Sequence, residues 1–250
     1  MNPTLFITTL FASYLIGSIS FSRLVARIFH PEADIQDVNM PVQGTDDTFK
    51  VTSMGGNTVS LKLGGRAGCA VALLDAFKVF IPTLIMRLIY PDQPYFLIAA
   101  IGGFIGHCWP IYYRFIGGRG ISAFYGGLLA FDPVGALVVA FTSLFLSMTV
   151  LRNIKVVNVM AMYTGGVLLI IPWVLITKNN PAFTIYAIVI NILFFLAMIP
   201  DILQSVQLIK KYGWKNVDVG MDQYPMGQSM TKMMSHFRFR GKGQHGENSP

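Results

Sequence analysis

Charge is scarce in this chain. Only 12% of its 250 residues are Asp, Glu, Lys or Arg, against about 25% in an ordinary soluble domain, and 53% are hydrophobic. That balance excludes both a soluble globular enzyme and a disordered polyelectrolyte. Cysteine is nearly absent. Cys69 and Cys108 are the only two, and they offer neither a disulfide framework nor metal-ligand spacing. Both lie in apolar company and read as packing residues. The chain also lacks a zinc signature, a Walker loop, a dinucleotide fingerprint and any catalytic-triad spacing, so no metal and no cofactor is expected. No basic stretch precedes the first apolar run, and residues 1–30 therefore read as a retained helix rather than a secretion signal.

What is present is a series of apolar runs, several long enough to cross a bilayer, which takes about 20 helical residues. The expected fold is all-α, a polytopic integral membrane bundle of about seven transmembrane helices. The runs are Leu5 to Ile28, Cys69 to Ile89, Tyr95 to Phe115, a short piece from Ile121 to Phe131, Val134 to Leu151, Val156 to Ile176, and Ala182 to Ile209. Asp132-Pro133 separates two of them, because proline disfavours helix in the residue before it, and Pro200-Asp201 is expected to break the last. Residues 1–209 read as one membrane-embedded domain with a long loop at 30–66. Residues 210–250 read as a flexible basic tail.

Lysine and arginine orient this layout. If the short piece crosses, sixteen of the 19 basic residues share one side, among them Arg23, Arg27, Lys50, Lys62, Arg66, Arg114, Arg119, Arg152 and Lys155. Arg87 and Lys178 fall opposite, and Lys78 is intramembrane. A six-span count would blur that asymmetry. The positive-inside rule then puts the amino terminus outside and the tail in the cytoplasm. The net charge of +7 follows from topology and anionic lipid, and no nucleic-acid partner is expected.

On the expected cytoplasmic face lies Gly106 to Gly127, GHCWPIYYRFIGGRGISAFYGG. Gly117, Gly118 and Gly120 flank Arg119, so bare backbone N–H groups stand beside a guanidinium, which suits a phosphate. The bland alternative is a tight turn with an arginine reaching to headgroups. His107 is a functional candidate because histidine is rare inside membranes. Its competitor is an interhelical hydrogen bond. Asp75 and Lys78, three apart on one helical face, are expected to neutralise each other. Ser53, Asn57, Thr58 and Ser60, with Gly55 and Gly56, form a donor-rich turn that could wrap a phosphate or polyol. Ser18 and Ser20 sit in the first run, where small polar residues also serve close packing.

Together these pieces resemble a known family, the bacterial acyl-phosphate:glycerol-3-phosphate acyltransferases of the PlsY type. The Y-L-x-G-S-I-x-F opening is matched by Tyr14 to Phe21. The L-D-x-x-K-x-x-x-P helix is matched by Leu74 to Pro82. G-H-x-x-P followed by F-x-G-G-K-G is matched by Gly106 to Pro110 and Phe115 to Gly120, with Arg119 at the lysine. The resemblance covers about Tyr14 to Phe131, apart from a longer first cytoplasmic loop. It implies transfer of an acyl group from acyl phosphate to glycerol 3-phosphate at the cytoplasmic face of the plasma membrane, yielding 1-acyl-glycerol 3-phosphate for phospholipid synthesis. The implied site is Ser53, His107 and Arg119 for catalysis, and Gly55, Gly56, Asn57, Thr58, Lys62, Arg66, Gly117, Gly118 and Gly120 for the substrates.

The departures are specific. The family's G-S-G-N-x-G-A-T-N-x-x-R serine falls on Val51 without gaps, or on Ser53 with one. Its arginine falls on Leu61, with Lys62 or Arg66 as substitute cations. Its late H-x-x-N has no match, and Pro200, Asp201, Leu203, Gln204 and Ser205 occupy that region. A non-catalytic paralogue that binds lipid phosphate or regulates a true acyltransferase is therefore the alternative. A small-solute transporter, resting on helix count and Asp75/Lys78, is a third reading.

Overall fold

The computed structural model describes residues 1–32, 35, 38–149, 155–213 and 217, with the side chains at 147–149 and 155–164 outside that description. Of the expected flexible tail at 210–250, residues 210–212 instead continue the last helix and 213 and 217 are also described, while its other residues, Arg152 and the Lys155 side chain fall outside the description. The elements in order are α1 (Pro3–Gly17), α2 (Phe21–Phe29), β1 (Val38–Pro41), β2 (Thr48–Val51), α3 (Gly56–Leu63), α4 (Gly65–Ile89) and α5 (Tyr95–Cys108). A short 3-10 turn at Ile111–Tyr113 follows, then α6 (Ile121–Phe131), α7 (Pro133–Thr149), α8 (Lys155–Thr177) and α9 (Pro181–Tyr212).

Among the described residues, four helical segments are long and apolar enough to cross a membrane: Pro3–Phe29, Gly65–Ile89, Tyr95–Tyr113 and Pro181–Tyr212. Shorter apolar helices lie at Ile121–Phe131, Pro133–Leu146 and Gly165–Thr177. Their outward faces expose Phe11, Phe77, Leu88, Phe141, Ile176 and Phe195, as a lipid-facing surface requires and a water-facing one does not. Inside, Phe104, Phe124, Leu128, Ile170, Tyr186 and Ile190 form the buried centre. Helix α1 packs on α5, and α4 on both α5 and α6. The α1/α5 crossing is close because Gly17 faces Gly103, whose backbone a Cβ on Gly17 would overlap.

Three expectations change. The first run is not one helix, because the chain breaks at Ser18–Ser20. The break leaves the Ile19 carbonyl outside any helical ladder, and Lys78 Nζ donates to it at 2.6 Å. An unpaired carbonyl and an ammonium would each be costly in lipid, and the break satisfies both. The third helix stops at Cys108, and Arg114 and Phe115 both adopt positive φ, so the following residues form a turn rather than a helical end. Helix α9 runs through Pro200 without breaking. A membrane helix tolerates the lost hydrogen bond where neighbouring groups compensate.

The 30–66 segment is also more than a loop. Strands β1 and β2 pair antiparallel, Val38 opposite Val51 and Met40 opposite Phe49, so the described residues form a helical bundle with a hairpin. Val38, Met40 and Phe49 are buried with Leu61 and with Leu208 of α9 in a small separate core. Gln204 of α9 clamps the strand edge: its Oε1 accepts from Lys50 N at 3.0 Å, and its Nε2 donates to Lys50 O at 3.1 Å. Lys211 Nζ and the Tyr212 hydroxyl hold Asp47 in the hairpin turn, at 2.8 and 3.0 Å. The hairpin is thus fixed to one end of the last helix.

Candidate phosphate-binding cleft

The segments that carry the motifs meet at one end of the bundle. At the opposite end, Asn2 N donates to the Tyr95 hydroxyl at the start of α5, which separates the amino terminus from the Gly-Gly-Arg-Gly turn. Met54 N donates to Gly117 O at 2.8 Å, tying the strand-to-α3 connection to that turn. Arg23 of α2 reaches the same turn, donating to Ile116 O at 2.9 Å.

A cleft of about 380 Å³ opens between these segments. Ser53, Gly55, Gly56 and Asn57 line one wall, and His107, Arg119 and Gly120 line another. Residues far apart in sequence, chosen for their chemistry, therefore share one cavity. Gly120 adopts φ +85, a left-handed conformation that turns the chain sharply into α6 and that glycine adopts without steric cost. Gly118 approaches the His107 ring so closely that a Cβ would overlap Nε2, and Gly118 N donates to His107 O at 3.0 Å. The glycine turn thus seats the histidine as well as the arginine.

The other candidates do structural work nearby. Thr58 is buried and its hydroxyl donates to Ser53 O at 2.6 Å, shaping the turn. Gly117 and Gly118 are buried behind Arg119. Lys62 and Arg66 are exposed and do not line the cleft.

Beneath the cleft lies a buried charged cluster. Lys78 Nζ and Asp75 Oδ1 are 2.7 Å apart, with side chains 3% and 2% exposed. The expected pairing is present. His107 Nδ1 stands 3.6 Å from the same Asp75 oxygen. That is an electrostatic contact rather than a hydrogen bond, and Nδ1 has no hydrogen-bond partner among the described residues. On the far side, an apolar groove of about 390 Å³ runs between α1 and α4, lined by Thr8, Ala12, Ile16, Ile81 and Ile85, with Lys78 at its wall.

Two residues escaped sequence reasoning. Asp201 of α9 accepts two hydrogen bonds from Arg119, Nε to Oδ2 and Nη2 to Oδ1, both at 2.6 Å. Thr52 Oγ1 accepts from Arg119 Nη2 at 2.6 Å. The only signal for Asp201 was that an acid inside an apolar run must find a cation. Nothing in the sequence distinguishes Thr52 from its neighbours, and it lies between the two positions, Val51 and Ser53, where alignment could set the family's serine.

The described residues thus form a helical bundle of membrane type, with a cleft at one end lined by glycines, a histidine and an arginine. Residues 7–207 match the family model described as glycerol-3-phosphate acyltransferase. Among curated relatives, the glycerol-3-phosphate acyltransferase of Ruthia magnifica is 33% identical over 177 residues, covering 70% of this chain and 80% of that protein. That of Mycoplasma mycoides is 32% identical over 64% of this chain and 58% of its own length. That of Pelagibacter ubique is 34% identical over 51% and 59%. The chain thus spans about three fifths of the length of the last two. A crystal structure of PlsY, an integral membrane glycerol 3-phosphate acyltransferase, in its glycerol 3-phosphate form shares the fold, with TM-score 0.63 at 22% identity over 81% of this chain and 92% of that one. This chain belongs to the glycerol-3-phosphate acyltransferase family.

Proposed function

We propose that this chain transfers an acyl group from acyl phosphate to the 1-hydroxyl of glycerol 3-phosphate, at the cytoplasmic face of the plasma membrane. The observation that carries this reading is the convergence of Ser53, Asn57, His107 and Arg119 on one cleft in a chain of this family. In the reaction the acceptor hydroxyl oxygen bonds to the acyl carbonyl carbon. The bond from that carbon to the phosphate oxygen breaks, and phosphate leaves with the electron pair. The hydroxyl proton ends on the departing phosphate or on water. An acyl phosphate is already activated, so no covalent enzyme intermediate is needed.

Each residue then has a role. Arg119, with Gly120 beside it, holds a phosphate. Ser53 and Asn57 orient the acceptor or the acyl carbonyl. His107 orients by hydrogen bonding through Nε2. The rate comes from proximity and from stabilising developing charge. The α1/α4 groove suits the acyl tail, because Lys78 lines both the groove and the small gap that His107 shares.

The topology belongs to the same reading. Counting α1 and α2 as one interrupted span, with α4 through α9, gives seven crossings, amino terminus outside and tail in the cytoplasm. The basic bias of the loops supports it.

The test is purified protein in detergent with acyl phosphate and labelled glycerol 3-phosphate, run beside acyl thioester donors. Formation of 1-acyl-glycerol 3-phosphate from acyl phosphate is expected. No product above a no-protein control, across several pH values, would refute the reading. The alternative, a non-catalytic paralogue that binds lipid phosphate, is favoured by one observation: Arg119 is already paired with Asp201. Rescue of an acyltransferase-deficient strain by this gene alone would exclude it.

A further inference from the structure

The cleft presents phosphate with little net charge. Of the described residues lining it, Arg119 is the only lysine or arginine, and Lys78 below is neutralised by Asp75. Arg119 itself is heavily committed. A guanidinium has five N–H donors. Nε and one Nη2 hydrogen go to Asp201, and the other Nη2 hydrogen goes to Thr52. Both forks, side-on and end-on, are therefore closed to a second anion, and the two Nη1 hydrogens stay without a partner among the described residues.

The Asp201 side chain is only 4% exposed. A phosphate displacing it would leave a buried, unpaired carboxylate, which is strongly unfavourable. The pair is also held from outside. Gln204, three residues along α9 from Asp201, clamps Lys50 at the end of β2, and Thr52 follows directly. One clamp therefore sets both acceptors around the guanidinium.

We infer that Asp201 is a positioning residue that holds Arg119 side-on and offsets its charge, so that phosphate is gripped through Nη1 alone and released readily. This inference rests on reading the cleft as a phosphate site. Its chemical logic is turnover: the leaving group and the acceptor both carry phosphate, and a full-strength guanidinium fork would retain the leaving one. Thr52 contributes by occupying the Nη2 hydrogen that would otherwise complete the end-on fork.

The experiment is titration of the full chain in detergent with inorganic phosphate and, separately, with glycerol 3-phosphate. Asp201→Asn keeps the shape and one acceptor but removes the charge. It is expected to tighten phosphate binding roughly three- to tenfold, a gain that a merely structural tie does not give. Asp201→Glu, with the charge kept, stays at the wild-type value. Thr52→Val frees an Nη2 hydrogen and also tightens binding, and it decides the matter if Asp201→Asn does not fold. Unchanged or weakened phosphate affinity in these variants overturns the inference. The Arg119→Ala/Asp201→Ala double variant separates the two levels. If it binds phosphate as wild type does, the phosphate reading itself fails. If it loses binding while Asp201→Asn and Thr52→Val match wild type, only the inference about Asp201 fails.

Discussion

Arg119 and Asp201, 82 positions apart, meet through two parallel hydrogen bonds of 2.6 Å between the glycine turn and the last helix. The carboxylate is 4% exposed and the guanidinium side chain 16%, so neither is a surface ion pair of negligible worth. Removing the cation alone strands a buried charge. Arg119→Ala is expected to lose about 3–5 kcal/mol of stability, and Arg119→Ala/Asp201→Ala to recover most of it. Thermal unfolding in detergent measures both, and equal losses in the single and double variants would show that the stranded Asp201 carboxylate is not what costs the stability.

The Lys78–Asp75 pair allows the same argument deeper in the bundle. Lys78→Met leaves Asp75 uncompensated beside His107 and removes the donor to Ile19 O. A loss of about 3–5 kcal/mol is expected, with Asp75→Asn/Lys78→Met closer to wild type in unfolding experiments.

Gly118→Ala tests how His107 is seated. The added Cβ overlaps the imidazole edge, and a well-packed site answers such overlap with strain of about 1–3 kcal/mol. The expected result is a displaced His107 and a strong loss of acyl transfer in a protein that still folds. Wild-type turnover in this variant would remove His107 from the site.

The hairpin clamp is read by hydrogen exchange. Gln204→Ala removes both bonds to Lys50, each worth about 1 kcal/mol. Faster exchange at the Lys50 amide is expected, with α5 amides unchanged.

The hairpin turn carries a pH dependence. Hydrogen bonds from Lys211 and then Tyr212 hold the Asp47 carboxyl below its usual value. A carboxyl depressed in the folded state contributes stability above its unfolded value, about 3.9, and loses it as pH falls through the folded one. Hairpin protection should therefore be level from neutral pH to about 4 and fall below it. Asp47→Asn should lie lower and show no such fall.

Much of the scaffold was legible because membrane physics writes it plainly. The end of α6 followed from Asp132-Pro133, and the Asp75/Lys78 pair followed from its spacing. The break at Ser18–Ser20 was not legible, because Gly-Ser-Ile-Ser is apolar enough to continue a span and the carbonyl it frees is wanted only by a lysine 59 residues away. The break at Pro200 was over-read, since a long membrane helix absorbs one missing N–H. At the site, glycine, histidine and arginine showed themselves by being unusual in their setting. Thr52 and Asp201 did not, because their meaning lies in a contact across the fold.

The central claim is that acyl transfer to glycerol 3-phosphate takes place in the Arg119 cleft. The most direct test measures 1-acyl-glycerol 3-phosphate formed from acyl phosphate by wild type and by Arg119→Ala/Asp201→Ala, each shown to be folded. Turnover by wild type and none by the double variant is the predicted result. Equal turnover by the two, or none by either, would contradict it.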